Sequence, residues 1–473
     1  MDSFSRDTRD RLFSAILFFV ALLPRLYVAI AWAREPVWDG HYYDFGARRI
    51  AEGFGYSDDV VIAGKTVWHP WCHYPVGYSG FLGLFYRIFG AGPSVAPIVN
   101  AITGALLAVV IHRLARYALS TNRARLAGLF VALNPGLIIY AALLMTEPLA
   151  AFGLVLSAWL LARDLRDKPV RGALLAGITL GLTTLVRPQS LLCAPALGLL
   201  ALTGSAPLRA RLRKAALTVA IALPTAFMVV LPWTLRNCRV MDGCAFVSTN
   251  AGWNLAIGAF PRATGRFETL RATDGCPIVT GQVQQDRCWM DEGLNWIRQD
   301  PVRWLSLVPK KLSHTFDHES FPIGYLSQAD PDGWPEETRS RGRAILTATH
   351  CAFLALAALG VVARPSRRKG FAGLFVQLAA LVLVVALALH GMQSDLHPFW
   401  PLAIVLVVLG ALPLPGAPSR GGAVGYLVFA VASVAITHAI FFGEDRYHLV
   451  ITPALCVLAA SALRRPDERS AES

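Results

Sequence analysis

Carboxylates and arginines at the ends of apolar stretches are the residues in this sequence best placed to do chemistry. Asp39 and Asp44 stand in Trp38-Asp39-Gly40-His41-Tyr42-Tyr43-Asp44, and Glu147 in Thr146-Glu147-Pro148. Arg187 stands in Val186-Arg187-Pro188-Gln189, Arg236 precedes Asn237, and Arg446 lies in Glu444-Asp445-Arg446-Tyr447-His448. A guanidinium is permanently charged and grips phosphate oxygens in pairs. A carboxylate can act as base or metal ligand. Arginines and a carboxylate beside lipid suit a lipid-phosphate substrate. The acid takes a proton from an incoming nucleophile, and the arginines stabilise the departing phosphate. Asp39, Glu147 and Asp44 are the catalytic candidates. Arg187, Arg236, Arg446, Tyr447, His73 and Tyr74 are the substrate-binding candidates.

Each residue also has a plainer reading. Asp39 can cap a helix, Asp44 one turn on can be structural, and Glu147 suits a helix N-terminus by dipole alone. Arg187 and Arg446 can anchor at the interface, as Trp38, Trp68 and Trp71 can in an aromatic belt. His69, Cys72 and His73 offer zinc ligands without a clear fourth, so packing is favoured there. No Walker pattern occurs, which argues against nucleotide use. No cofactor is demanded, although a divalent metal at the carboxylates stays open.

The elements that must position these residues are membrane helices. The 473 residues are 55% hydrophobic and 16% charged, with mean hydropathy +0.47. A soluble chain carries about 25% charged residues, so a soluble enzyme, a disordered chain and a coiled coil are excluded. Apolar stretches predict twelve spans, at 12–32, 95–112, 126–142, 147–162, 172–186, 190–204, 215–234, 344–362, 371–390, 396–412, 424–441 and 448–463. The net charge of +13 comes from 44 basic and 31 acidic residues. With the N-terminus inside, the cytoplasmic segments hold 23 basic and 8 acidic residues, and all others hold 21 and 23. That asymmetry is the positive-inside pattern, not a nucleic-acid footprint. It predicts a multi-pass protein of the plasma (inner) membrane with both termini cytoplasmic. All the candidate residues then face one extracytoplasmic cavity, since ionisable groups at that depth need a polar cavity or a partner.

The chain divides into an N-terminal membrane module, 1–234, with a first loop at 33–93, an extracytoplasmic cap, 235–343, and a C-terminal module with a short tail, 344–473. Residues 78–90 are apolar but too short to span, and predict an interfacial or re-entrant helix. The cap predicts helices at 285–299 and 302–315. Cys238–Cys244 and Cys276–Cys288 are plausible disulfides, although sequence leaves connectivity open. Cys193, Cys351 and Cys456 read as apolar core residues. Arg25, inside the first span, reads as a side chain reaching outward to the interface.

The run Asp39-Gly40-His41-Tyr42-Tyr43, through Ala47, Ile50, Gly53, Gly55 and Tyr56, resembles the first-loop signature of GT-C membrane glycosyltransferases. The similar group is the protein-mannosyltransferase/ArnT-like superfamily (glycosyltransferase family 39-like), whose signature reads roughly Asp-Glu-x-x-Tyr-x-x-x-Ala-x-x-Leu-x-x-Gly-x-Gly-Tyr. Tyr74-Pro75-Val76-Gly77-Tyr78, Thr146-Glu147-Pro148, Val186-Arg187-Pro188, Pro232-Trp233-Thr234-Leu235-Arg236-Asn237, Thr249-Asn250-Ala251-Gly252-Trp253-Asn254-Leu255 and Arg446-Tyr447 resemble further blocks, in order.

The resemblance implies an all-α polytopic GT-C architecture. It implies an inverting hexosyl or pentosyl transferase that takes sugar from a polyprenyl-phosphate carrier. The acceptor would be extracytoplasmic: a glycolipid such as lipid A or lipopolysaccharide, a polysaccharide or a protein. Asp39 matches the family's base. Gly40 departs from the pattern, because many relatives carry a second acid there. A transporter or flippase of lipid-linked substrates, and a lipid-linked glycan polymerase or ligase, are the alternatives.

Overall fold

The structure, a computed structural model, describes residues 2–203, 206–277, 281–362, 370–394, 396–412 and 422–463. It is an all-α membrane architecture. The N-terminal half runs α1 (Asp2–Ala31), α2 (Asp39–Glu52), a β-hairpin of β1 (Ser57–Ile62) and β2 (Lys65–Pro70), then α3 (Val76–Phe89) and α4 (Val95–Ala115). There follow α5 (Thr121–Leu133), α6 (Pro135–Ile139), α7 (Glu147–Asp164), α8 (Pro169–Val186), a 3₁₀ turn (Pro188–Cys193), α9 (Leu197–Leu200) and α10 (Leu208–Val240). The cap comprises α11 (Ala251–Ile257), α12 (Gln282–Gln299), α13 (Pro301–Ser306), α14 (Val308–Phe316) and α15 (Phe321–Ala329). The chain closes with α16 (Glu336–Val361), α17 (Gly370–Gln393), α18 (Trp400–Ala411), α19 (Ala423–Ile440), a 3₁₀ segment (Asp445–Ile451) and α20 (Thr452–Ala462).

Among the described residues, seven helices are long and apolar enough to cross a membrane, or eight if the pair α5 and α6, bent by 51°, forms one span. The other four expected spans fall on α7, which carries charge at both ends, on the broken stretch 188–200, on the short α18 and on the 3₁₀ segment with α20. α1 packs on α4 and α5, α8 lies between α7 and α10, and α20 lies between α16 and α5. One apolar core of mostly Ala, Val and Leu links them.

Prolines cut this bundle where polar residues enter it. Pro135 has no N–H to offer the Val131 carbonyl one turn back. Arg25 supplies the donors instead. Its Nη2 bonds the Val131 carbonyl at 2.8 Å, and its Nη1 bonds those of Ala132 at 2.7 Å and Ala21 at 2.8 Å. Arg25 is therefore fully buried, correcting the expectation that it reaches the interface. The broken helix, not solvent, takes donors from both Nη groups, while the buried Nε has no partner.

The expected interfacial helix is α3, with Leu84, Ile88 and Phe89 exposed and Ser79, Leu82 and Tyr86 buried. The β1–β2 hairpin was not expected, and its register pairs Ser57 with Pro70 and Ile62 with Lys65. Ala63 and Gly64, both at positive φ, make its two-residue turn. The predicted cap helix at 302–315 is two helices, because Leu307-Val308-Pro309 restarts the chain at Pro309. Both disulfides form as suggested, Cys238–Cys244 and Cys276–Cys288, and Cys72, Cys193, Cys351 and Cys456 are free and buried.

Candidate active site

Asp39 is the first residue of α2, directly after Trp38, which holds an unusual positive φ of 51°. Such a backbone costs about 1–3 kcal/mol and persists only when packing enforces it. Here Phe321 and Tyr325 of α15 enforce it, with ring centroids 5.4 and 5.8 Å from Trp38. Gly40 follows because a Cβ there would collide with the Tyr325 hydroxyl. The space that a second acid would take is filled by that tyrosine.

Asp39 has two partners. The Tyr74 hydroxyl donates to Oδ1 at 2.8 Å, and Arg446 Nη1 donates to Oδ2 at 2.5 Å. Burial raises the Asp39 carboxyl. The charge and hydrogen bond of Arg446, helped by Tyr74 and His73, outweigh that and hold it below the ordinary value. Arg446 also lies 2.8 Å from Glu444, over the rings of Phe321 and Tyr447. Burial pushes the Glu444 carboxyl up, with Arg446 opposing.

The second half of the site forms at two helix ends. Pro188 forces Arg187 out of α8 into an extended conformation. Its Nη1 donates to Glu147 Oε1 at 2.6 Å and to Thr146 Oγ1 at 3.2 Å. With its amide oriented to accept, Gln189 takes hydrogen bonds from Nη2 and Nε at 3.1 and 3.0 Å. Glu147 is only 1% exposed, and its Oε2 has no partner. Gly77 lets the start of α3 close on this point, since a Cβ would strike the backbone of Leu185 and Val186.

Tyr447 joins the halves. Arg187 lies 5.3 Å from one ring and Arg446 5.1 Å from the same ring, while His438 stacks beneath at 4.0 Å. Asp39, Arg446, Tyr447, Arg187 and Glu147 thus form one continuous set. A small cleft opens beside it, lined by Arg187, Gln189, Ser190, Thr437, His438 and Tyr447 together with the apolar Leu154, Val434 and Val450.

Other candidates sit beside this set. His73 packs on Tyr74 and Trp253, and burial lowers its pKa. Asp44 faces α3, accepting from the Tyr86 hydroxyl at 2.5 Å and from Arg48 Nε at 2.6 Å. Arg236 directs its Nη groups to the Tyr56 and Trp71 carbonyls at 2.7 and 3.0 Å, clamping the first loop to α10. His69 pairs with Asp58 and Cys72 is buried elsewhere. Among the described residues, no group of three His, Cys, Asp or Glu side chains is arranged for a metal. Of the polar residues around the start of the expected span at 396–412, His397 bonds the Gly391 carbonyl at 3.0 Å, and Asp395 lies outside the described residues. Sequence reasoning missed Phe321 and Tyr325. The run from Phe316 to Tyr325 is dense in acids and aromatics, but no residue in it announces a partner for Arg446.

Residues 73–233 match the model of the family described as Dolichyl-phosphate-mannose-protein mannosyltransferase. The match contains Tyr74, Glu147 and Arg187, and stops short of Asp39 and Arg446. No curated protein matches the chain by sequence. Among solved structures, the chain is similar to the oligosaccharyltransferase AglB from Archaeoglobus fulgidus, in complex with an inhibitory peptide and a dolichol-phosphate. The identity is 14% and the TM-score 0.48, over 96% of this chain and 50% of that one. It is also similar to ArnT from Cupriavidus metallidurans bound to undecaprenyl phosphate, with 15% identity and a TM-score of 0.34, over 95% of this chain and 77% of that one. The chain spans about half the length of the archaeal oligosaccharyltransferase.

Proposed function

We propose that this chain, carrying a glycosyltransferase-family domain over residues 73–233, is an inverting transferase moving a sugar from a polyprenyl-phosphate carrier to an acceptor outside the cytoplasm. One observation carries the reading. Two arginines from distant parts of the chain pack on the Tyr447 ring, one of them paired with the Asp39 carboxylate, beside a small cleft lined by Arg187 and by the apolar Leu154, Val434 and Val450. A carrier lipid has the complementary form, an anionic head on an apolar chain.

In this reading Arg187 receives the carrier phosphate at the cleft head, with Gln189 and Glu147 fixing the guanidinium's plane. Arg446 stands between Asp39 and the phosphate. An incoming phosphate competes with Asp39 for Arg446, so donor binding frees the Asp39 carboxylate and raises its basicity. Asp39 then takes the acceptor's proton while the acceptor oxygen attacks the anomeric carbon. The bond to the phosphate breaks, and Arg446 and Arg187 hold the charge that develops there. Tyr74 keeps Asp39 oriented. Arg236 shapes the first loop through its carbonyl contacts. The site faces the extracytoplasmic side of the inner membrane, consistent with the basic residues on the opposite loops.

The test is mass spectrometry of envelope glycans and lipids. Cells lacking the gene are compared with cells restored by the intact protein or by Asp39→Asn. Loss of one sugar mass, restored by the intact protein alone, supports the transferase and identifies sugar and acceptor. Equal restoration by Asp39→Asn removes Asp39 as the base and gives the lead to a transporter.

A further inference from the structure

Beside Asp39 lies a stack of aromatic rings that the proposed chemistry does not use. Tyr42 stands one turn after Asp39 on α2, and its ring lies 5.3 Å from that of Tyr74 at 25°. The Tyr74 hydroxyl is the donor to Asp39. Trp71 packs on both tyrosines, at 5.7 and 5.8 Å. Tyr42 is nevertheless 44% exposed, whereas its neighbour Tyr43 is buried edge-on to Tyr74. One ring of the stack holds the proposed base, and another opens outward.

The backbone that carries Trp71 is clamped. Gln282 of α12 donates to the Pro70 carbonyl at 3.2 Å and accepts the Cys72 N–H at 3.0 Å. The Trp71 N–H donates to the Tyr56 carbonyl at 3.2 Å, and Arg236 donates to the Trp71 carbonyl at 3.0 Å. The Cys72 carbonyl takes the Thr249 N–H at 2.9 Å. Every backbone polar group from the Pro70 carbonyl to the Cys72 carbonyl is thereby engaged with a distant residue. A loop held in this way keeps its ring in place before a ligand arrives, which lowers the entropic cost of binding.

Two plainer roles leave this arrangement unexplained. Core packing does not need a ring that stays 44% exposed. An aromatic belt sets rings at headgroup level, but it requires neither a stack on the base's own partner nor a clamped loop. A sugar ring fits better. An aromatic side chain offers a flat apolar face with a polar edge. A sugar has the matching form, with C–H groups on its faces and hydroxyls around its rim. Residues three apart on a helix hold their Cβ atoms about 5–6 Å apart, roughly the width of such a ring. A sugar lying on Tyr42 and Trp71 therefore carries a rim hydroxyl toward Asp39.

We propose that the open face of Tyr42 and Trp71 is the acceptor subsite, and that the acceptor is a carbohydrate whose ring stacks there with a hydroxyl at Asp39. Calling this sugar the acceptor rests on the transferase reading, while its binding rests on the stack alone.

The experiment uses the purified full chain in nanodiscs free of glycoside detergents, with empty nanodiscs subtracted. The probes are methyl and octyl glycosides of common hexoses and pentoses, and a peptide rich in Ser and Thr. Saturation-transfer NMR with irradiation of the aromatic protons reads which probe binds and through which of its protons. In wild type the glycosides bind and receive saturation at their ring C–H protons, a readout that needs no variant. Tyr42→Ala and Trp71→Ala each weaken glycoside binding about tenfold, which is about 1.4 kcal/mol. Tyr42→Phe keeps the ring and binds like wild type. An octyl tail that tightens binding marks a glycolipid acceptor, and equal binding of methyl and octyl probes marks a polysaccharide; both uphold the subsite.

Glycosides that do not bind, binding indifferent to Tyr42→Ala, or the peptide bound in their place overturns the proposal. Glycoside binding lost in Tyr42→Ala, in a protein that transfers no sugar from any polyprenyl-phosphate donor tried, upholds the subsite and refutes the transferase reading. Transfer to the peptide that Tyr42→Ala leaves intact upholds the transferase and refutes the subsite.

Discussion

Replacing Arg187 by methionine separates what the cation does for folding from what it does for the donor. Glu147 is 1% exposed, and Arg187, at 2.6 Å, is its one ion-pair partner among the described residues. Removing the cation strands a buried carboxylate, which costs about 3–5 kcal/mol, whereas replacing both members by neutral groups of similar size is close to neutral. Arg187→Met should therefore lower the unfolding midpoint sharply, and Glu147→Gln with Arg187→Met should recover most of the loss. The cycle's coupling energy should then be several kcal/mol, well above the ~0.5 kcal/mol scatter of independent sites.

The recovered double variant still lacks the cleft's cationic head. A hydrogen bond to a charged group contributes about 1.5–3 kcal/mol, which is about 10- to 150-fold in donor affinity. The assays are a thermal unfolding cycle in detergent and titration of the folded variants with polyprenyl phosphate. Additive single effects would refute the ion pair. A double variant that folds and binds donor like wild type would refute the phosphate role of Arg187.

Asp39→Asn keeps a side chain able to accept from Tyr74 and should fold normally. Its turnover should drop by about 10²–10⁴, the usual contribution of a positioned base, and single-turnover transfer checks this. Gly40→Ala should cut activity by driving the Tyr325 hydroxyl from its place, and adding Tyr325→Phe should recover part of it, as read in the same assay. Arg25→Leu removes the donors of the Val131 and Ala132 carbonyls. At about 1–3 kcal/mol for each orphaned group, a fall in the unfolding midpoint is expected, with the residual folded protein still binding donor.

Burial raises the Asp286 carboxyl to about 6, partly opposed by the N–H groups of Trp253 and Gly252 at the start of α11. A group raised on folding stabilises below its unfolded value, about 3.9, and loses that contribution as pH rises through its folded value. Cap stability should therefore decline between about pH 4 and about pH 6, and Asp286→Asn should flatten that decline in a pH series of unfolding midpoints.

Much of this protein is written in local sequence. Uncharged runs set the helices, and prolines after Asn134, Glu147 and Arg187 end or restart them. Those signals are short-range, because they act through backbone geometry and solvent transfer. They also marked Asp39, Glu147, Arg187 and Arg446, since a charge beside an apolar run stands out against its neighbours.

The partners were decided only by tertiary structure. Asp39 meets Arg446 across 407 positions, and no period or spacing encodes that pairing. Gly40 looked like a lost acid until Tyr325 was found in its space. Arg25 looked like an interfacial side chain until a broken helix on another segment supplied its acceptors. In each case the sequence presented one half of an interaction, and a polar group's role follows from the half that packing brings to it.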